Sequence, residues 1–342
     1  MFFFKRLLRV LWFAVLFCIL IYGLGVTGYV ALRLVMGERW DTIAFANNFV
    51  PWWALGGLIG VLFAAFSRWR WPLLALQAPI LILFVVVYGE LFWPNRIVAE
   101  AGNGISLTAA TYNTLSLQSD PQQVITVINE LNTDIIGLQE VGPDLADLIA
   151  QQLARQYPYQ ALHPAEAEHG VAFLSRYPIL EEQVFFPFQK YVRHLRVLID
   201  VNGTQVVVYV VHPHTPNPYF PPTAYNTHFR DEQLAALRDR LKTDLAPILV
   251  LCDCNTTDQS DAYHALDNML VDSFREAGWG LGFTFPARIL EGKLDVPRMI
   301  RIDYVWHNQY FVATNAQVGD DSGTSDHRPV IASLLLNHQS ED

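Results

Sequence analysis

The sequence predicts an α/β domain of mixed sheets covered by helices, standing behind an apolar, membrane-spanning N-terminal region. Three observations predict it. Residues 1–93 hold three long stretches almost free of charge. Beyond residue 105, short apolar runs alternate with amphipathic helical patterns. Asn202-Gly203 separates two β-branched runs, the signature of a tight hairpin. The chain has 342 residues and is 52% hydrophobic, and the apolar excess gathers at the N-terminal end.

No residue between Arg9 and Arg33 is charged: "VLWFAVLFCILIYGLGVTGYVAL". None is charged between Asp41 and Arg68, or between Arg70 and Glu90, where "WPLLALQAPILILFVVVYG" lies. A helix rises ~1.5 Å per residue, so about 20 residues cross a hydrocarbon core of ~30 Å. Membrane helices are therefore predicted at about 10–32, 49–67 and 71–93, with Asn47 and Asn48 blunting the start of the second. A cleaved signal peptide has a shorter apolar region, of about 7–15 residues, and a small-residue cleavage site, which the first stretch lacks. Lys5, Arg6 and Arg9 precede the first helix, and Arg68 and Arg70 lie between the second and third. Basic flanks favour the cytoplasmic side, which predicts an extracytoplasmic location for the remainder of this multi-pass chain. The basic residues Arg33 and Arg39 on the first link oppose that orientation.

Of the 23 Lys+Arg and 33 Asp+Glu, residues 1–93 hold 7 and 3, leaving the rest with a net charge of −14. A domain this acidic lacks the basic footprint of a nucleic-acid binder, which disfavours nucleic acid as a partner. Cys18 lies in the first apolar stretch. Cys252 and Cys254, two apart in an apolar run with no second pair for a zinc site, read as small buried residues.

Residues 94–105 read as a linker, and 106–342 as one domain long enough to bury a full core. "ISLTAATYN" reads as a strand. "DPQQVITVINELN" is a helix with Asp120 as N-cap and Pro121 in its first turn. "DIIGLQEV" is a buried strand, and "PDLADLIAQQLARQY" an amphipathic helix. "HGVAFLSRYPI" and "LRVLIDVNGTQVVVYVVH" read as strands, "EQLAALRDRLKT" as a helix, and "PILVLCDCN", "IRIDYVWHN" and "RPVIASLLL" as further strands. "HPHTPNPYFPPTAYN", with five prolines, is too Pro-rich for regular structure and reads as a stiff surface flap.

Polar residues end these apolar strands: Asn113, Glu140, His212, Asp253, Asn255, Asp303, Asp326 and His327. Strand ends of α/β sheets converge on one edge, where ligands bind. Carboxylates and carboxamides are the oxygen donors that a hard divalent cation needs. Each residue also has an ordinary alternative. Asn113 can cap a turn, Glu140 can serve the helix after Pro143, and Asp253 and Asn255 can form an Asx turn. His212 can be a loop residue, and Asp326-His327 a surface turn. Asp303, between Ile302 and Tyr304, resists such an alternative, since a buried carboxylate needs a partner.

In order and local context, "TYN", "LQEV", "GVAFLSRYPI", "VVH", "CDCN", "RIDYVW" and "SDHRPV" resemble the signature run of the endonuclease/exonuclease/phosphatase superfamily, over roughly residues 105–337. "DSFREAGWGLGFTFP" resembles the stretch such proteins carry between the fourth and fifth motifs. The resemblance implies a four-layer α/β/β/α sandwich with two central mixed sheets. It implies hydrolysis of phosphate esters with Mg²⁺, and sometimes Mn²⁺. On this basis Asn113, Glu140 and Asp326 are the expected metal residues. His327 is the expected general base, oriented by Asp303, although in parts of the family the Asp of the D-x-N motif is argued to be the base. Asp253 and Asn255 would position nucleophile and phosphoryl oxygen, and His212 would hydrogen-bond a non-bridging oxygen. Cys252 stands where the family usually has Gly.

The expectation is thus a membrane-anchored phosphoesterase whose partners are the lipid bilayer and a phosphoester substrate. A nuclease and a non-catalytic binding module are the alternatives. A transporter is disfavoured, because three spans without an intramembrane acid–base network offer no pathway. Sequence leaves substrate identity and oligomeric state open.

Overall fold

A computed structural model describes residues 2–93, 104–166, 169–187, 192–216, 225–289 and 294–337. The chain forms two compact units, Met1–Glu90 with Tyr219–Tyr225, and Leu91–Pro218 with Asn226–Asp342. The expected linker and most of the Pro-rich flap fall outside the described residues.

The first unit contains α1 (Phe2–Met36), α2 (Asp41–Asn47), α3 (Val50–Ala64) and α4 (Arg70–Tyr88). Two helices, Phe3–Met36 and Arg70–Phe92, are long and apolar enough to cross a membrane. A third span, over the expected second one, is present if α2 and α3 count as one span broken by a bend of 72°. The cause of the bend is local. Pro51 starts α3 afresh, while Asn47 Oδ1 is drawn to Tyr29 Oη (2.7 Å) and Arg33 Nη1 (2.6 Å). The 15 residues of α3 reach only ~22 Å, short of a hydrocarbon core. Where α1 passes α4, a Cβ on Gly23 would lie 2.8 Å from Leu76 Cβ, so a residue without a side chain fits there. Gln77 is buried and donates to the Ile19 carbonyl.

The second unit begins with β1 (Ile105–Asn113), α5 (Pro121–Leu131), β2 (Ile135–Gln139), α6 (Pro143–Gln152), β3 (Tyr159–His163) and β4 (Val171–Ser175). It continues with β5 (Ile179–Phe185), β6 (His194–Val201), β7 (Thr204–Val211), α7 (His228–Leu241), β8 (Ile248–Asp253) and α8 (Asp261–Asp267). It ends with β9 (Val271–Asp272), α9 (Ser273–Ala277), β10 (Arg288–Ile289), β11 (Leu294–Asp295), β12 (Asp303–His307), β13 (Phe311–Val318) and β14 (Val330–Leu336). One sheet runs β13-β14-β1-β2-β4-β3 and the other β5-β6-β7-β8-β12-β9. The two parallel pairs, β1·β2 and β7·β8, are those joined through helices α5 and α7. The remaining pairs of both sheets are antiparallel, so both are mixed, as expected.

Alternation along the strands sorts the side chains into layers. Tyr112, Ile136 and Leu138 face α5 and α6, packing on Val124, Ile128, Leu145 and Ile149. Tyr209, Val250 and Trp306 face α7 and α8, packing on Leu234, Leu237, Tyr263 and Leu266. Between the sheets, Gln139 Nε2 donates to the Leu251 carbonyl (3.2 Å). Local signals behave as read. Asp120 caps α5, accepting from Gln122 N (2.9 Å), and Asn202 and Gly203 turn the β6–β7 hairpin with φ of 53° and 92°.

Gly137 marks a close approach of the sheets, since a Cβ there would meet Leu251 Cβ at 2.7 Å. Gly137→Ala is expected to destabilise the full chain by about 1–3 kcal/mol, read as a lowered Tm, with no other change in the strand pattern. An unchanged Tm would mean that the sheets can part there without loss.

Candidate active site

The ends of β1, β2, β7, β8 and β12, with the segment before β14, carry all eight residues singled out in the sequence. Asn113, the last residue of β1, is buried and faces the second sheet. Its Nδ2 donates to Glu140 Oε1 (2.9 Å) and to Asp253 Oδ2 (2.8 Å), bridging the sheets. Its Oδ1 accepts from Leu115 N.

Glu140 directly follows β2 in a left-handed conformation, φ 56°. A non-glycine residue holds that backbone only when its surroundings impose it. Here Thr114 Oγ1 (3.0 Å) and Ser116 Oγ (2.7 Å) both donate to the Glu140 carbonyl. The carboxylate is thereby turned from the strand direction toward the edge. Burial pushes the Glu140 carboxyl above its ordinary range, opposed by His212 and by the hydrogen bond from Asn113.

His212 Nε2 lies 3.6 Å from Glu140 Oε1 and 3.5 Å from Asp253 Oδ2. Asp253 and Asp303 are direct partners in the antiparallel register of β8 and β12, so two carboxylates stand side by side. Asp253 Oδ1 accepts from Asn255 N (3.1 Å), closing the Asx turn, and Asn255 Nδ2 donates to the Pro213 carbonyl. Asn255 has φ 48°, a second left-handed residue at the site. Asp303 is fully buried, and both of its oxygens lie within 3.1 Å of His327 Nδ1. His327 Nε2 faces Asp253 Oδ2 (3.7 Å) and Asp326 Oδ1 (3.9 Å). Burial alone would lower the His327 pKa. The carboxylates of Asp303, Asp253 and Asp326 outweigh burial and hold it well above the ordinary imidazole value.

Several supporting residues lie inside the quoted motifs but were given no role from the sequence. Ser325 Oγ donates to the Asn113 carbonyl (2.8 Å) and accepts from His327 N (3.1 Å), tying the last segment to β1. The Phe285 ring packs on the His327 imidazole at 4.8 Å. Behind the site, buried Arg301 binds Asp272 (2.6 Å) and Asp258 (3.2 Å). One expectation is corrected. Cys252 and Cys254 are buried, but they are joined in a disulfide rather than standing as separate small residues.

Among the described residues, two groups hold ligand atoms within 4.8 Å of one another: Glu140, His212 and Asp253, and Asp253, Asp303 and His327. Asp326 touches the second group through His327. The family model described as "Endonuclease/Exonuclease/phosphatase family" matches residues 110–327, well over half of the chain. The chain belongs to the endonuclease/exonuclease/phosphatase family. Solved structures agree in fold. A Beutenbergia cavernae family protein is 23% identical, with TM-score 0.55 over 68% of this chain and 72% of its own. A Bacteroides thetaiotaomicron mannosyl-6-phosphatase is 17% identical, TM-score 0.51, over 67% of this chain and 99% of its own. TDP2 of D. rerio, complexed with single-strand DNA product, is 16% identical, TM-score 0.54, over 67% and 98%. No curated protein matches the chain in sequence.

The donor set, oxygen-rich and led by a buried carboxylate whose proton affinity is raised, fits a hard divalent cation. Mn²⁺ at about 100 times its Kd is expected to stabilise the full chain by ~2.7 kcal/mol, read as a raised Tm. Glu140→Gln should abolish most of that rise. An equal rise in the variant would place the ion elsewhere.

Proposed function

We propose that this chain is a membrane-anchored, Mg²⁺-dependent phosphoesterase that acts on phosphoesters carried by a bilayer or a surface. The observation that supports it most is the meeting of Asp253, Asp303 and His327 beside Glu140, Asn113 and His212 on one edge of two sheets. Glu140, Asn113 and Asp326 would hold the ion, with Mn²⁺ as the substitute. When bound, a divalent cation neutralises phosphate charge and lowers the pKa of a bound water.

The remaining residues divide the work. His327, freed of its proton, takes one from the attacking water through Nε2, the nitrogen turned away from Asp303. Asp303 accepts at Nδ1, which fixes the tautomer and stabilises the imidazolium formed. Asp253 and Asn255 orient the nucleophile and the phosphoryl oxygen. His212 donates to a non-bridging oxygen and stabilises the charge that develops there.

Anchoring is supported by the two or three apolar helices of the first unit. The basic residues Lys5, Arg6 and Arg9 at the N-terminal end of α1 support an extracytoplasmic catalytic unit. The disulfide fits an oxidising compartment, which supports the same side. Tethering raises the local concentration of bilayer-borne esters, which favours lipid-like substrates over free ones.

The test is a panel of lipid phosphomonoesters and phosphodiesters, soluble phosphosugars and plasmid DNA, with full chain in liposomes, with and without EDTA. Hydrolysis of a lipid ester that EDTA abolishes is expected. Plasmid nicking in place of it would transfer the proposal to a nuclease. His327→Ala should lower kcat by about 10²–10⁴-fold. Asp303→Asn removes the main charge that raises the His327 pKa, so the limb on which activity grows with pH should move to lower pH as kcat falls. A limb that stays in place would remove His327 as the base.

A further inference from the structure

Cys252 and Cys254 flank Asp253 and are bonded to each other. Both are fully buried in the cluster that packs β8 on α7 and α8, against Tyr263, Leu266, Tyr304 and Trp306. Asp253, between them as the last residue of β8, faces the opposite way, to Asn113 of the first sheet and to His212. The bond therefore lies directly behind the site, on the other face of the same strand.

Its geometry bears on the backbone. Residues two apart in a regular strand have Cα atoms ~6.4–6.8 Å apart. Cys252 and Cys254 Cα are 5.1 Å apart. With ~3.8 Å between neighbouring Cα atoms, the pleat at Asp253 is thus deepened by about 0.8–1.1 Å. A pleat carries the middle residue toward the face to which its Cβ points, so shortening the back face pushes Asp253 forward. The strand ends there in register with Asp303, and beyond it Cys254 N still donates to the Ile302 carbonyl (2.9 Å). The turn that follows is also held: Arg230 Nη1 donates to the Asn255 carbonyl, and Asn255 Nδ2 to the Pro213 carbonyl.

We propose that the Cys252–Cys254 disulfide is a positioning clamp that holds Asp253 forward in the site, and that its reduction lowers turnover. The chemistry balances with a dithiol reductant. One S–S bond breaks, two S–H bonds form, and the reductant gives two electrons and two protons and closes its own disulfide. The dithiol form lets the strand relax toward regular spacing and draws Asp253 back from Asn113 and His212. Misplacement of a reacting group by about 1 Å can reduce turnover ~10²-fold. The effect on turnover rests on the phosphoesterase function proposed above, whereas the bond and its effect on ion binding do not.

The test uses the full chain in detergent micelles. Thiol titration in denaturant, without reductant, should find Cys18 alone of the three cysteines. Finding all three would end the proposal. Cys252→Ser, Cys254→Ser and the double variant should each lower kcat by about 10–100-fold, with KM within about threefold. The three losses should be equal, because either change alone opens the clamp, and additive losses would mean plain packing. Dithiothreitol should slow the wild type and leave the variants unaffected. Mn²⁺ affinity, measured by calorimetry, should weaken about tenfold equally in all three variants. If the wild type hydrolyses no phosphoester, the enzymatic proposal falls, while thiol count and Mn²⁺ affinity still judge the clamp. Variants with wild-type Mn²⁺ affinity and wild-type kcat would overturn it.

Discussion

The amide of Asn113 donates to a carboxylate on each sheet, and the site depends on that bridge. Glu140 and Asp253 are acceptors only, and two like charges ~4 Å apart repel by about 4 kcal/mol at an effective dielectric near 20. A donor placed between them turns part of that repulsion into two hydrogen bonds. Imidazoles supply the rest, His212 between Glu140 and Asp253, and His327 beside Asp303 and Asp326. The proton affinity of His327 is raised because acids outnumber the groups able to neutralise them, whereas at Glu140 burial is the main cause and the charge of Asp253 adds to it. A cluster with this imbalance is prepared for a cation, and the sandwich beneath it supplies the rigidity to hold it.

Most of the core was legible because its strands are apolar on both faces. Every residue of β2, β4, β8 and β12 is buried, and such runs announce themselves. β3, β13 and β9 went unrecognised, and β5 was touched only at Ile179. These four are the edge strands of the two sheets. An edge strand has a neighbour on one side only and tolerates polar residues, as "ILEEQVF" shows by exposing Leu180, Glu181, Glu182 and Gln183. The missing signal is thus a property of sheet edges rather than of these residues.

The site divides in the same manner. Asn113, Glu140, His212, Asp253, Asn255, Asp303, Asp326 and His327 were visible as polar residues at the ends of apolar strands, and the structure gathers all eight. The devices that aim them were not visible. The left-handed backbone at Glu140 depends on hydroxyls of Thr114 and Ser116, more than twenty residues away in the chain. The disulfide was hidden for a geometric reason. In a regular strand, residues two apart sit near the upper limit of Cα separation for a disulfide, so a C-x-C pair in an apolar run reads as two packed thiols. A bend at Asp253, where β8 ends in the Asx turn with Asn255, brings their Cα atoms to 5.1 Å.

Charge links the two units of the chain to one physical problem. The residues after 93 carry a net of −14, and phosphoesters are anions. At physiological ionic strength a field from dispersed charges is screened beyond ~8 Å, so repulsion acts mainly on the last approach to the site. For the proposed substrate class, that barrier bears on encounter rather than on chemistry, since the carboxylates nearest the reaction are those an ion would neutralise. On the proposed function, the apolar helices of the first unit would offset a slow encounter by confining enzyme and ester to one surface, where diffusion from bulk no longer sets the rate. A soluble homologue working on free nucleic acid has no such confinement and needs basic residues around its cleft. An acidic catalytic unit and an apolar N-terminal region are therefore mutually consistent properties, each permitting what the other lacks.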